Sequence, residues 1–394
     1  MLPPQARARA RGRFAGAWCG GRTLAAAAML IASHALVFIA ARRAGAPAAR
    51  AGDPLVDACE WDAAVRPLDG QEWIDATILP LMHPLLPAGA AGARVYATKR
   101  QGASYGPHRE FWETVADGTW EPDTFRLIRA VHTRRPGGAH LDVGAWVGPT
   151  SLFAAHFAAR VVALEPDPRA FSELLGNFRL NAALAARATL LRHCLAPRGG
   201  RVDMTGPAPL GSSMSRVHGA ARVPAAAGKE ENWGPRMASW PAECSTPAAL
   251  AARAGLRAAE IALIKVDVEG AEAALLPAIA AWLAAALPAG APRPTLLVEL
   301  HRTFWPDAGA DARRVADALA TWPFLYRSVE GAQRHKAGTS DFQTFDPVAA
   351  VARSGFVCEE DYCMVLATGE AFDWATDRAL LDGAEWAAPR AGEK

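Results

Sequence analysis

Carboxylates at the ends of apolar runs, several of them beside glycines, are the residues of this sequence whose types and spacing suit chemistry. Ala139–Gly148 reads AHLDVGAWVG, an apolar run with one carboxylate, Asp142, entering a turn bracketed by Gly144 and Gly148. Glycine belongs where a backbone turns sharply or approaches a ligand with no Cβ in the way. A second run, Arg160–Leu164, ends in Glu165-Pro166-Asp167, with Glu165 standing 23 positions after Asp142. A carboxylate at that place can accept two hydroxyl hydrogens from a ribose. A third run, Ile261–Val268, holds Lys265 and Asp267 and is followed by Glu269. A charge in so apolar a run costs free energy unless it is used. Lys265 and Asp267 share one face of a strand, so an ion pair between them is the competing explanation. Glu299 and His301 close a fourth run, and His193-Cys194 closes another. An imidazole titrates near neutrality, which suits a general base, although a histidine at a strand end is as readily just solvated.

Such residues need a scaffold that gathers strand ends. From Ala139 onward, short apolar runs alternate with helix-periodic segments, the signature of a doubly wound parallel α/β sheet. Ligands of such sheets bind in the crevice outside the carboxyl ends of the strands. The pattern predicts strands at Ala139–Val143, Val161–Leu164, Ala188–His193, Ala262–Asp267, Thr295–Leu300 and Phe324–Ser328. It predicts helices near Pro149–Ala159, Pro168–Ala182, Pro247–Ala254, Ala271–Leu287 and Ala310–Ala320, with Pro149 and Pro168 in first turns that tolerate proline. Glu121–His132 also has helical spacing, with Asp123 and Thr124 as cap candidates. Pro197–Trp240 breaks the alternation and reads as a long Gly/Pro-rich loop, either functional or partly disordered. The dehydrogenase fingerprint G-x-G-x-x-G is absent, because residues 144–148 keep only the outer glycines. A carboxylate two residues before the first glycine suits a ligand with a cationic amino-acid end. Among ribose-binding α/β proteins, that favours S-adenosylmethionine (SAM) over a dinucleotide.

The composition narrows the class. A chain of 394 residues that is 51% hydrophobic has room for one sizeable core plus extensions. Its net charge of +2, without a basic stripe interleaved with aromatics, gives no sign of nucleic-acid binding. Six cysteines (Cys19, Cys59, Cys194, Cys244, Cys358, Cys363) have no metal-ligand spacing, and no His/Asp cluster argues for a metal. Reduced cysteines are the default expectation, with Cys358–Cys363 as a pair if the domain is lumenal. The first 52 residues lack acidic side chains, and arginines flank an apolar run from Leu24 to Ala41. As a helix that run rises roughly 27 Å, against a bilayer core of about 30 Å. The excess of arginine before it predicts a single-pass anchor with a cytosolic N-terminus and a lumenal domain. An organelle transit peptide or a long signal peptide is the alternative. The expected division is a basic leader and anchor over 1–45, a linker and extension over 46–135, the catalytic domain over 136–370 and a tail over 371–394.

Three segments together carry a family resemblance: LDVGAWVGPTSLFAAHF (Leu141–Phe157), VVALEPDPRAFSELLGNFRLN (Val161–Asn181) and IKVDVEGAE (Ile264–Glu272). With GSSMS (Gly211–Ser215) and LLVELH (Leu296–His301) beside them, they resemble the FkbM-type SAM-dependent methyltransferases, which mostly O-methylate hydroxyls of sugars, polyketides and related metabolites. The resemblance implies a Rossmann-like, seven-stranded class I methyltransferase sheet into which Tyr362–Ala367 inserts antiparallel. It puts Asp142 near the SAM amino group, Gly144 and Gly148 under the methionine moiety, Glu165 on the ribose hydroxyls and His193-Cys194 along the adenine. Asp267 would face SAM or the acceptor, and Glu269 and His301 would serve as base or acceptor-binding groups. The acceptor would be a glycan, glycolipid or small metabolite. One departure stands out: the residue between the glycines, usually small or asparagine in the family, is Trp146. An indole there narrows the pocket or marks a pseudoenzyme that binds a partner instead. Glu272 reads as a first-turn carboxylate favoured by the helix dipole. Oligomeric state leaves no trace in the sequence.

Overall fold

The computed structural model describes residues 77–97, 109–207, 210–217, 237–328, 342–358 and 362–372. All of them fall in one compact unit, Leu55–Lys394. The Leu24–Ala41 run lies outside the described residues. Among the described residues, no helix is long and apolar enough to cross a membrane.

The chain begins with an antiparallel hairpin, β1 (Thr77–Leu81) and β2 (Ala93–Ala97), then helices α1 (Arg109–Ala116) and α2 (Pro122–Arg134). β3 (Ala139–Val143), α3 (Pro149–Ala154), β4 (Arg160–Leu164), α4 (Pro168–Arg179), the short α5 (Ala182–Ala185) and β5 (Ala188–Leu191) form the first half of the main sheet. An insertion follows: β6 (Cys194–Leu195), β7 (Gly200–Pro207), β8 (Arg216–Val217) and β9 (Met237–Ser245). The second half comprises α6 (Pro247–Ala254), β10 (Ile261–Val266), α7 (Glu272–Ala286), β11 (Thr295–His301), α8 (Ala308–Leu319), β12 (Phe324–Ser328), β13 (Phe342–Thr344), α9 (Pro347–Ser354) and β14 (Tyr362–Thr368).

The main sheet has the order β13-β12-β14-β11-β10-β3-β4-β5. The five strands from β11 to β5 are parallel, and β14 runs antiparallel between β11 and β12, as the resemblance implied. One element differs: β13 adds an eighth strand at the edge by pairing with β12. The strands of the centre read as continuous apolar runs because both faces are covered; every residue of β3 and β10 is buried. On one face, Phe125 and Ile128 of α2, Leu152 and Phe153 of α3 and Leu174 and Phe178 of α4 build a core, and Leu276, Ile279 and Leu283 of α7 with Val315 and Leu319 of α8 build the other. The chain leaves β3 toward β5 and returns to β10 beside β3, so the strand order reverses between these two strands. That reversal opens a crevice at their carboxyl ends.

Several expected elements are corrected. The described part of Pro197–Trp240 is mostly strand where a loop was expected: β7 and β9 pair antiparallel along their length and join β6 and β8 in a four-stranded sheet, and residues 208–209 and 218–236 lie outside the described residues. The third strand stops at Leu191, leaving His193 between strands, and the helix from Pro149 stops at Ala154. Asp123 and Thr124 do not cap α2. Glu121 takes that place in a left-handed conformation, φ 43°, without a side-chain cap bond. The hairpin, which has no clear periodicity, packs on α4, where Asn177 and Asn181 accept the backbone N–H groups of Tyr96 and Arg94.

Candidate active site

A cavity of about 620 Å³ opens at the crevice, walled by the ends of β3, β4, β10 and β11, by α1 and the turn before α2, and by the four-stranded sheet. That volume lies in the range of small-molecule and cofactor sites.

Glu165 stands at one end. It is buried, its Oε2 accepts the backbone N–H of Trp146 at 2.8 Å and its Oε1 accepts that of Asp167 at 2.7 Å. Each oxygen keeps a further lone pair for a ligand hydroxyl. Burial, with the Asp167 carboxylate adding to it, pushes the Glu165 carboxyl up to about 8, against the pull of the two N–H donors. Asp167 caps α4 through Arg169 and Ala170 N–H, while its other oxygen accepts the Gly211 N–H and the Ser215 hydroxyl. Ser212 and Ser215 thus belong to a turn that α4's cap fastens over the Glu165 end of the cavity.

Gly144 and Gly148 adopt φ of 86° and 95°. A Cβ at Gly144 would lie 1.8 Å from the Asp267 carbonyl oxygen, so this glycine exists to let β3's turn touch the end of β10. Asp142 lies beneath that turn, fully buried and outside the cavity wall. Its Oδ2 accepts the Thr150 and Ser151 hydroxyls, and its Oδ1 stands 3.8 Å from Lys265 Nζ. The expected contact with a ligand amino group is therefore replaced by support of α3 and Lys265. Lys265 also reaches Asp267 Oδ2 at 3.3 Å, so the ion pair weighed from sequence is present.

His301 organises the opposite end. Its Nδ1 meets Glu272 Oε1 at 3.0 Å, and Glu272 also accepts the Gly270 N–H and the Trp305 indole N–H. Glu272 is thus more than a helix-dipole carboxylate: it fixes the imidazole. His301 Nε2 then faces Glu269 Oε2 at 3.7 Å, Asp267 Oδ1 at 3.8 Å and Glu299 Oε1 at 3.9 Å. Burial alone would push this imidazole's pKa down; Glu269, then Glu272 and Glu299, overcome it and hold it well above its ordinary value. Burial raises Glu269 to about 8 against the opposing pull of His301, and raises Glu299 to about 8 with help from Asp267. One ligand-type atom from each of Asp267, Glu269 and His301 lies within 4.8 Å of the others. These are the three catalytic candidates of the sequence, brought together here; that one atom from each gathers around a single point was concealed by their separation in the chain.

The three non-glycine residues with positive φ among those described, Glu121 (43°), Trp146 (48°) and Glu269 (50°), all line the cavity. Such conformations cost about 1–3 kcal/mol each and gather where the surroundings impose them, characteristically at functional sites. Trp146 donates its indole N–H to the Gly211 carbonyl and sits edge-on to Phe111, so it forms wall rather than plug. Glu121 and Phe111 carried no sequence signal. His193 and Cys194 line the cavity as expected, His193 being held by Arg253 at 3.1 Å. The reduced-thiol expectation is overturned. Cys194 and Cys244, register partners across β6 and β9, form a disulfide, as do Cys358 and Cys363.

An α/β sheet with a ribose-suited carboxylate after its second parallel strand and an acidic crevice at its switch point defines a nucleoside-cofactor enzyme. Residues 138–326 match the family model described as the methyltransferase FkbM domain, and this segment is a methyltransferase domain of that family. No curated protein matches the chain. Among solved structures, an O-methyltransferase from Bacillus cereus in complex with SAH is 12% identical over 62% of this chain and 81% of its own, with a TM-score of 0.32. A precorrin-6y C5,15-methyltransferase from Geobacter metallireducens is 10% identical over 62% and 86%, with a TM-score of 0.29. At those scores the family match alone carries the assignment. Its cofactor is SAM, and the cavity fits it in volume and in Glu165, whose two oxygens keep lone pairs for a pair of hydroxyls.

Proposed function

We propose that the protein O-methylates a hydroxyl of a small metabolite, glycan or glycolipid. The observation that carries this reading is the division of one cavity into a ribose-suited carboxylate, Glu165, and a distant His301–carboxylate cluster. Bound SAM supplies an electrophilic methyl carbon for in-line displacement. Glu165 holds the ribose hydroxyls on lone pairs left free by Trp146 and Asp167 N–H. The cluster of Asp267, Glu269, Glu299 and His301 receives the acceptor hydroxyl, and the Glu272-oriented Nε2 edge of His301 directs it. The wall formed by α1, Trp146 and the four-stranded sheet excludes water and positions the acceptor, which is most of what such a displacement needs.

S-adenosylhomocysteine (SAH) titrated calorimetrically into the folded chain tests the reading. Micromolar binding is expected, weakened about 10- to 100-fold by Glu165→Ala, the value of two hydrogen bonds at about 1 kcal/mol or a little more each. A methyl-transfer screen over hydroxyl-bearing sugars and metabolites then identifies the acceptor. A folded chain that ignores SAH sinks the enzyme reading and favours the partner-binding one. The two disulfides support a lumenal, oxidising setting for the domain, consistent with an anchor at Leu24–Ala41. Fractionation of cells expressing the chain with and without its first 45 residues separates an anchor from a transit peptide.

A further inference from the structure

We propose that Asp267, Glu269 and His301 bind one divalent metal cation at the acceptor end of the cavity. The site deepens the proposed methyl transfer and rests on it only for the claim that the acceptor oxygen completes the coordination.

The distances lead to this. His301 Nε2 faces three carboxylate oxygens at 3.7, 3.8 and 3.9 Å, all beyond hydrogen-bond length. A cation bound at about 2.1 Å separates adjacent ligand atoms by about 3 Å and opposed ones by about 4.2 Å, so it spans such gaps. Glu269 supplies the second observation. Its side chain is only 10% exposed, and its Oε2, aimed into the cluster, has no hydrogen-bond donor. A buried carboxylate oxygen without a partner is costly, and a cation relieves that cost.

The surroundings are those of a ligand held in place. A metal-binding histidine commonly donates its other ring N–H to a carboxylate, which sets the tautomer and the ring orientation. Glu272 does this for His301, and Glu272 is itself fixed by Gly270 and Trp305. Lys265 takes Asp267 Oδ2, leaving Oδ1 for the histidine side. One imidazole with two carboxylates suits manganese, iron or zinc better than calcium, which prefers an all-oxygen shell. Asp267 is 24% exposed and lines the cavity, so coordination positions stay open for an incoming oxygen. Such an ion fixes the acceptor and makes its hydroxyl more acidic.

The test uses the full chain, stripped with a chelator and titrated with Mn²⁺, the free ion read by electron paramagnetic resonance and SAH binding followed in parallel. One Mn²⁺ per chain is expected, displaced by Zn²⁺ and weakened about tenfold or more by Glu269→Gln, with SAH affinity within about threefold of wild type. His301→Gln, with the same expected loss, replaces Glu269→Gln if that variant does not fold. A chain that binds SAH but neither metal overturns the inference and leaves the His301 imidazolium and Lys265 as the cations facing the cluster. Metal binding that both variants leave unchanged also overturns it. Mn²⁺ bound at these residues by a chain that ignores SAH keeps the metal site and removes the methyl-transfer reading instead.

Discussion

The two ends of the cavity hold buried carboxylates in different ways. At one end both oxygens of Glu165 accept backbone N–H groups, from Trp146 and Asp167. At the other, Asp267, Glu269 and Glu299 stand around an imidazole at distances no hydrogen bond reaches, and Glu269 Oε2 has no donor. Backbone donors are fixed when the sheet forms, so the first end has its shape before any ligand arrives. The second is set by side chains that await one. The Glu165 end is therefore built into the fold, while the His301 end depends on how side chains are placed upon it.

That contrast predicts separable losses. His301→Ala removes the centre of the acceptor end, and methyl transfer should fall by about 10²- to 10⁴-fold, the usual weight of a positioned proton-transfer or metal-binding group. SAH affinity should stay within about threefold; an equal loss of both would show that the ends are one unit. Gly144→Ala strikes the joint between them. A Cβ pressed against the Asp267 carbonyl, on a backbone at φ 86°, should cost about 2–4 kcal/mol in urea unfolding. A neutral result would mean that β3 and β10 meet less tightly than described. The smallest effect concerns a polar pair outside the cavity. His132 and His140 share a hydrogen bond of 3.2 Å, and burial, their largest influence, lowers both to about 3. The folded pair stays neutral while the unfolded chain takes up protons below about 6.5. Relative to a His132→Leu/His140→Leu variant, the wild type should thus lose stability as pH falls from about 6.5 toward 3. The slope approaches about 1.4 kcal/mol per pH unit per histidine, and a pH-independent difference would show the pair to be charged already.

The frame was legible where one physical cause dominated. Double-sided burial makes β3, β4 and β10 continuous apolar runs, and their C-terminal carboxylates follow directly, so Glu165, Asp267 and Glu269 could be read from position alone. The string IKVDVEGAE condenses much of the acceptor end: Lys265, Asp267, Glu269 and Glu272 each hold or face another group there. What could not be read depends on rotamers and on neighbours distant in sequence. Glu272 resembled an ordinary first-turn acid until His301, from the next strand, turned toward it. Asp142 was assigned to a ligand because its spacing fits, and only the Thr150 and Ser151 hydroxyls reveal its structural use. The strand Met237–Ser245 does alternate, with Trp240, Ala242 and Cys244 inward, but Pro241 argues against a strand and hid it. The left-handed backbone of Trp146 and Glu121 has no signature in residue type.

The four-stranded sheet is closed where it leaves and rejoins the catalytic frame by the Cys194–Cys244 bridge, which spans a separation of 50 residues between its own strands β6 and β9, and it is tied to that frame at Gly211, held by Trp146 on one side and Asp167 on the other. Between such moorings a chain can vary without disturbing what it is tied to. Change in this lineage thus has a cheap place to accumulate. Substitutions and length differences between Ala196 and Glu243, outside Gly211–Ser215, would reshape one wall of the cavity while Glu165 keeps its partners, allowing one scaffold to diverge toward new ligands without rebuilding its frame.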